Sequence, residues 1–131
     1  MLFRSVEELL RYVTPVQFAP RRVALEDVEL CGMRIRKGDG VFAVAPSANR
    51  DEDAFPDPDR LDIARDASQH VSFGYGIHQC LGQGLARIEL HVVFTALFAR
   101  FPGLRLACRL EDVPFKYDSQ IFGTYRLPVA W

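Results

Sequence analysis

Apolar residues recur at helical spacing near the start of the chain, at Val6, Leu9, Leu10 and Val13, and predict one amphipathic helix. Thr14-Pro15 ends it, because the residue before a proline avoids the helical region. From Arg21 the texture changes. RRVAL and VEL are short apolar-rich runs, interrupted by Glu26-Asp27 and Cys31-Gly32, and read as strands. Lys37 to Gly40 is a turn, Val41 to Ala45 another strand, and Pro46 begins a short helix. Asn49 to Asp66 is rich in Asp, Pro and Arg and reads as an ordered loop rather than a linker. A second long helix follows Cys80, with Leu85, Ile88, Val92, Ala96 and Ala99 on one stripe, and Phe101-Pro102-Gly103 stops it. The tail from Leu104 to Trp131 alternates enough to suggest hairpin strands.

Composition changes this picture only by exclusion. At 131 residues the chain has the size of one domain, and its net charge of -1 gives no sign of nucleic-acid binding. Three widely spaced cysteines, Cys31, Cys80 and Cys108, argue against a disulfide framework and for a reducing, cytoplasmic compartment. No apolar run approaches the roughly twenty residues that span a bilayer, so no membrane partner is expected.

The densest chemistry lies in Phe73 to Arg87, FGYGIHQCLGQGLAR. Gly74 and Gly76 permit a tight bend, and Cys80 stands where the helical pattern begins, a position at which backbone N–H groups favour a thiolate. Such a loop presents one thiolate to a metal in a flat cofactor. Taken singly, Cys80 could be a buried free cysteine and His78 a surface histidine. A zinc site from His70, His78, Cys80 and His91 fits poorly, because His78 and Cys80 are too close for the paired ligand spacings of structural zinc modules. Glu8 and Arg11 lie three apart and meet on one helix face. Alone they could be an exposed pair, or Glu8 could form a capping box with Ser5.

Together these segments resemble the cytochrome P-450 family. Phe73, Gly76, His78, Cys80 and Gly82 fill its haem-binding signature, and Leu85, Ala86 and Arg87 fit its soluble bacterial branch. ELLRY looks like the family's Glu-x-x-Arg motif, and EDVEL, NRDEDAFPDPDRLD and the ending LPVAW follow in the family's order. The resemblance implies an α+β structure: the C-terminal, haem-thiolate-bearing portion of the mainly α P-450 fold, with two long helices, short antiparallel strands and an ordered meander loop. It implies one partial domain over residues 1–131, without the N-terminal two-thirds of the family fold. Met1 to Ser5 match no family pattern and are read as an artificial start, set aside from fold reasoning.

By motif position, Cys80 is then the axial ligand of haem b, and Phe73, Gly74, His78, Gly82, Ala86 and Arg22 lie around the cofactor, with Arg22 on a propionate. Arg21 points to the opposite strand face, so an error of one residue would exchange the two arginines. Glu8, Arg11 and Arg60 form a buried triad. Gln17 and Phe18, in the segment Val16 to Pro20, and Ile121 and Phe122 lie in substrate-contacting loops. The implied activity is O2-dependent oxidation of a small organic substrate, with electrons from a ferredoxin or similar donor. Thr14, Thr95 and Thr124 are the only threonines, and none follows an acidic residue, so no distal acid–threonine relay is identifiable. A non-catalytic haem- or partner-binding remnant, or an unfolded fragment, are the alternatives.

Overall fold

A computed structural model describes residues 2–18 and 21–131. Helix α1 spans Leu2–Val13, strand β1 Arg21–Val23, β2 Val28–Leu30, β3 Met33–Ile35, β4 Gly40–Phe42, helix α2 Ala45–Ala48, helix α3 Gln83–Arg100, β5 Arg105–Leu106 and β6 Val129–Ala130. Short 3-10 turns cover Gly76–His78 and Leu110–Asp112. No helix of the described residues is long and apolar enough to cross a membrane.

α1 stops where expected. Thr14 takes a positive φ of 40°, uncommon for a β-branched residue, and two bonds hold it there. Its amide donates to the Leu10 carbonyl at 2.9 Å, and its hydroxyl donates to the Arg11 carbonyl at 2.6 Å. The helix begins upstream of Ser5, so Ser5 sits inside it and the Ser5–Glu8 capping box does not apply. Leu2 to Ser5 are part of α1, and Phe3 stacks on His91 of α3 with ring centroids 5.5 Å apart.

The strands form three antiparallel pairs: β1 with β4, β2 with β3, and β5 with β6. Cys31 and Gly32 both have positive φ, 49° and 75°, the conformation that a two-residue hairpin turn demands between β2 and β3. β4 is shorter than the sequence suggests and starts at Gly40, opposite Val23. Pro46 falls in the first turn of α2, where its missing N–H costs nothing. The tail is less regular than a run of hairpins. Besides β5 and β6 it contributes only bridges, Phe115 with Thr124 and Ile121 with Val16.

The core sits where α1 meets the meander loop of residues 49–72. Val6, Leu10, Phe55, Ala67 and Val113 are its buried apolar side chains among the described residues. Around them lie buried Glu7, Glu8, Arg11, Thr14, Asn49, His70 and Ser72, so the centre is as much a polar network as an apolar one.

α3 carries its apolar stripe on the outside. Leu85, Ile88 and Val92 are each more than 60% exposed, and Ala96 and Ala99 on the same stripe are exposed too. Its other side, with Arg87, Leu90, His91, Phe94 and Leu97, is half-buried, and there Arg87 meets Glu7 and His91 meets Phe3 of α1. The reason lies in QGLARIELHVVFTALFAR itself. Apolar residues surround this helix, so spacing alone cannot choose the face that packs here.

Candidate functional site

The cysteine loop is built from its backbone. Gly74 and Gly76 have φ of 75° and 73°, a region that other residues rarely enter. The Gly74 amide donates to the Val71 carbonyl at 2.8 Å, and the Gln79 amide to the Gly76 carbonyl at 3.0 Å. The loop then closes on itself, with the Cys80 amide donating to the Phe73 carbonyl at 2.8 Å. Cys80 stands two residues before Gly82, which caps α3. Its side chain is exposed. A Cβ added at Gly82 would lie 3.8 Å from the Cys80 sulfur, so the glycine leaves that flank of the thiol open. Ile77 and Leu81 stand almost wholly in solvent on either side of the cysteine, and His78 between them is also exposed.

Phe73 is half-buried. Its ring lies 6.0 Å from the His70 ring, with the Arg87 guanidinium 4.8 Å above its face. Ala86 donates its amide to the Gly82 carbonyl at 2.9 Å in the first turn of α3. Arg22 is exposed on β1, paired with Val41 in the β1–β4 ladder, and its guanidinium donates to the Arg21 carbonyl at 3.2 Å; no hydrogen bond or ion pair among the described residues joins it to the loop. Arg21 lies over the Phe42 ring across the β1–β4 pair.

The two loop segments read as substrate-contacting are brought together. The Gln17 amide donates to the Gln120 carbonyl at 2.9 Å, and the Phe122 amide to the Pro15 carbonyl at 2.6 Å. Phe18 and Ile121 are exposed beside this junction, and Phe122 stacks on Phe115 at 5.4 Å. Ala19 and Pro20, which end the first segment, lie outside the described residues.

Glu8 and Arg11 are wholly buried, which decides against an exposed pair. The five N–H groups of Arg11 meet five acceptors: Glu8 Oε2 at 2.7 Å, Glu8 Oε1 at 2.9 Å, and the carbonyls of Asn49, Pro58 and Arg60 at 2.7, 2.9 and 3.5 Å. Burial pushes the Glu8 carboxyl up. The Arg11 hydrogen bonds, the Asp62 amide and the charges of Arg11 and Arg65 outweigh it and hold the group below the usual carboxylate range.

The third member of the network is Arg65, not Arg60. Arg60 contributes its backbone carbonyl while its side chain is exposed, whereas Arg65 Nε reaches Glu8 Oε1 at 3.3 Å. A turn explains the exchange. The Asp62 carboxylate accepts the Ala64 amide and the Asp62 carbonyl the Arg65 amide, both at 2.9 Å, which bends the chain back toward Glu8. The Arg65 fork then also donates to the carbonyls of Pro56, Asp57 and Arg60.

Two further groups were not singled out in the sequence. Asn49 donates its side-chain amide to Thr14 Oγ1 and Ser72 Oγ, at 2.8 and 2.9 Å, and accepts the Val71 amide at 2.9 Å, tying the cysteine loop to the end of α1. Glu7, on the other flank of α1, binds Arg87 at 2.7 and 3.0 Å and His70 at 3.1 Å. Burial raises the Glu7 carboxyl, but the Arg87 and His70 bonds and charges leave it below its usual value. Burial lowers His70, and the Glu7 charge only partly offsets this. His70 is thus committed to Glu7 and His91 to Phe3, away from Cys80. The adjacent acids in EELLRY were the available signal for two back-to-back networks on α1.

Proteins similar to this chain in sequence and fold are known. The family model described as Cytochrome P-450 matches residues 1–128. Cytochrome P-450-SU2 of Streptomyces griseolus is 52% identical over 127 residues, covering 97% of this chain and 32% of that protein. The vitamin D3 dihydroxylase of the same organism is 50% identical over 127 residues, covering 97% of this chain and 31% of that protein. The crystal structure of MoxA from Nonomuraea recticatena superimposes with a TM-score of 0.96 at 53% identity, covering 99% of this chain and 32% of that one. This chain belongs to the cytochrome P-450 family, a family of monooxygenases, and spans about a third of the length of the curated relatives it matches.

Proposed function

We propose that this chain is the C-terminal, haem-bearing portion of a cytochrome P-450 monooxygenase and that Cys80 is the axial thiolate of haem b. One observation carries the reading: Cys80 is exposed on a loop that closes on itself through the Phe73 carbonyl, beside a glycine that leaves its sulfur open. The residues present fit the group. Ile77 and Leu81 offer uncovered apolar surface to a flat macrocycle, and burying it there is favourable. Phe73, Gly74, His78, Gly82 and Ala86 would surround the proximal side, and Arg22, which has no carboxylate partner among the described residues, would hold a propionate.

When bound, haem with a thiolate ligand supplies the activation of O2 needed to insert one oxygen atom into an organic substrate. The chain's own part is to fix the sulfur, through the Cys80 amide and the positive-φ glycines, and to keep α1, the meander and α3 in register through the Glu8 and Glu7 networks. Gln17, Phe18, Ile121 and Phe122 would line the substrate side. The substrate is a small organic molecule and the electron donor a ferredoxin or similar protein of the cytoplasm. The vitamin D3 dihydroxylase and the 20-oxo-5-O-mycaminosyltylactone 23-monooxygenase of Streptomyces fradiae show by name the kind of molecule that relatives accept.

The test is spectroscopic. The haem-loaded, reduced protein with carbon monoxide should show the red-shifted Soret band of thiolate ligation. Cys80→Ala should abolish it, while Cys31→Ala and Cys108→Ala should leave it. A band that persists in Cys80→Ala refutes the assignment.

A further inference from the structure

The Glu7 cluster joins three parts of the chain. Glu7 comes from α1, Arg87 from α3, and His70 from the segment that leads into the cysteine loop. The Arg87 fork takes both oxygens of the Glu7 carboxylate, at 2.7 and 3.0 Å. His70 uses both ring nitrogens. Nδ1 accepts the Ser72 amide at 3.1 Å, so the ring proton sits on Nε2 and is donated to Glu7 Oε2 at 3.1 Å. Ser72 immediately precedes Phe73, whose carbonyl holds the Cys80 amide and whose ring lies under Arg87. From the His70 ring to Cys80 the path therefore contains two hydrogen bonds and one peptide step.

We propose that Glu7, His70 and Arg87 position the Phe73–Cys80 loop, with His70 acting as a neutral Nε2–H tautomer whose protonation releases Ser72 and loosens the cysteine. An imidazolium carries a proton on both nitrogens. Its Nδ1–H would face the Ser72 N–H, donor against donor, and the loop would have to move. The charged groups around the ring are Glu7 and Arg11 of α1 and Arg87 of α3. Only Glu7 favours the imidazolium; both arginines and burial oppose it. His70 therefore remains neutral below the usual histidine value and responds only to more acid conditions. What the loop presents rests on the haem-thiolate reading of Cys80; how the loop is held does not.

Two variants separate the parts. His70→Asn keeps a side-chain acceptor for the Ser72 amide and cannot titrate. Glu7→Gln keeps a hydrogen-bonding group and removes the charge that favours the imidazolium. In the haem-loaded 131-residue chain, the thiolate-type carbon monoxide band is followed against pH. In the same chain without haem, His70 ring shifts by NMR and amide exchange over residues 71–80 are followed against pH. The expected result is an Nε2–H tautomer at neutral pH, followed by loss of the band and about tenfold faster exchange of the loop at the pH where His70 protonates. The acid transition should vanish in His70→Asn and move to lower pH in Glu7→Gln.

An Nδ1–H tautomer, an identical acid transition in His70→Asn, or loop exchange at the unprotected rate at neutral pH overturns the proposal. If exchange follows His70 but no thiolate band forms at any pH, the positioning network stands and the haem reading fails.

Discussion

Replacing Arg11, Arg65 and Arg60 in turn by alanine tests how the Glu8 network is built. Arg11→Ala removes the fork that satisfies both Glu8 oxygens and leaves the Asn49 and Pro58 carbonyls without its N–H groups. Breaking a buried pair costs about 3–5 kcal/mol, and each orphaned buried acceptor adds about 1–3 kcal/mol. Against a total stability of about 5–15 kcal/mol for a domain, this variant should be largely unfolded. Arg65→Ala removes one longer contact to Glu8 and three to carbonyls at the surface side of the loop. Glu8 keeps Arg11 and the Asp62 amide, so the expected cost is smaller, about 1.5–3 kcal/mol for a hydrogen bond to a charged group. Arg60→Ala keeps the carbonyl that the network uses and should stay within about 0.5 kcal/mol.

Circular dichroism at neutral pH should show Arg11→Ala largely unfolded without denaturant, and urea unfolding should place Arg65→Ala below Arg60→Ala with little change in the slope of the transition. Equal losses for Arg60→Ala and Arg65→Ala would refute the reasoning. The pH dependence has a definite sign. The folded value of Glu8 lies below its unfolded value of 4.5, so its contribution is complete above that pH and disappears as pH falls through the lower, folded value. Glu8→Gln should flatten that acid limb.

Gly74→Ala should destabilise by about 1–2 kcal/mol, because a side chain must enter the left-handed region at φ 75°. Gly84→Ala, inside α3 with nothing within 4 Å of an added Cβ, should stabilise by about 0.4–1 kcal/mol. Thermal melts compare the pair, and a stabilised Gly74→Ala would show that the bend is not as described. The exposed α3 stripe should make the isolated chain self-associate; Leu85→Lys with Val92→Lys should shift sedimentation toward monomer, and an unchanged distribution would place the contact elsewhere. With haem and a surrogate reductase, the isolated chain should consume electrons without coupled organic product, and stereoselective product would overturn that expectation.

Local signals were legible where one short segment contains both cause and effect. The cysteine loop is of this kind: its glycines, its cysteine and the start of α3 adjoin, and backbone preference nearly determines the bend. The end of α1 at Thr14-Pro15 and the interruption at Cys31-Gly32 are similar, although strand β3 beyond it was not read from the sequence. Arg60 was misplaced because the choice between it and Arg65 depends on a turn at Asp62, whose direction is fixed by the amides of Ala64 and Arg65 rather than by spacing from Glu8. Which face of α3 packs was not legible, because a helix apolar on all sides carries no preference for one of them. The Glu7–His70–Arg87 cluster was missed because its members lie 63 and 80 positions apart from Glu7, and none of them is unusual alone.

Arg11 has a consequence for the order of folding. It gathers the carbonyls of residues 38, 47 and 49 positions further along the chain, and the meander between them has almost no helix or strand of its own. The guanidinium acts there much as a bound ion acts in a metal-organised loop, as the object around which the backbone wraps. Until α1 has formed and carries Arg11 to its place, those carbonyls have water as their natural partner. The meander should therefore acquire structure late and in one step, through contacts of long sequence separation that are slow to close. The cysteine loop, suspended between Asn49 and His70 at the far end of that meander, would be shaped last.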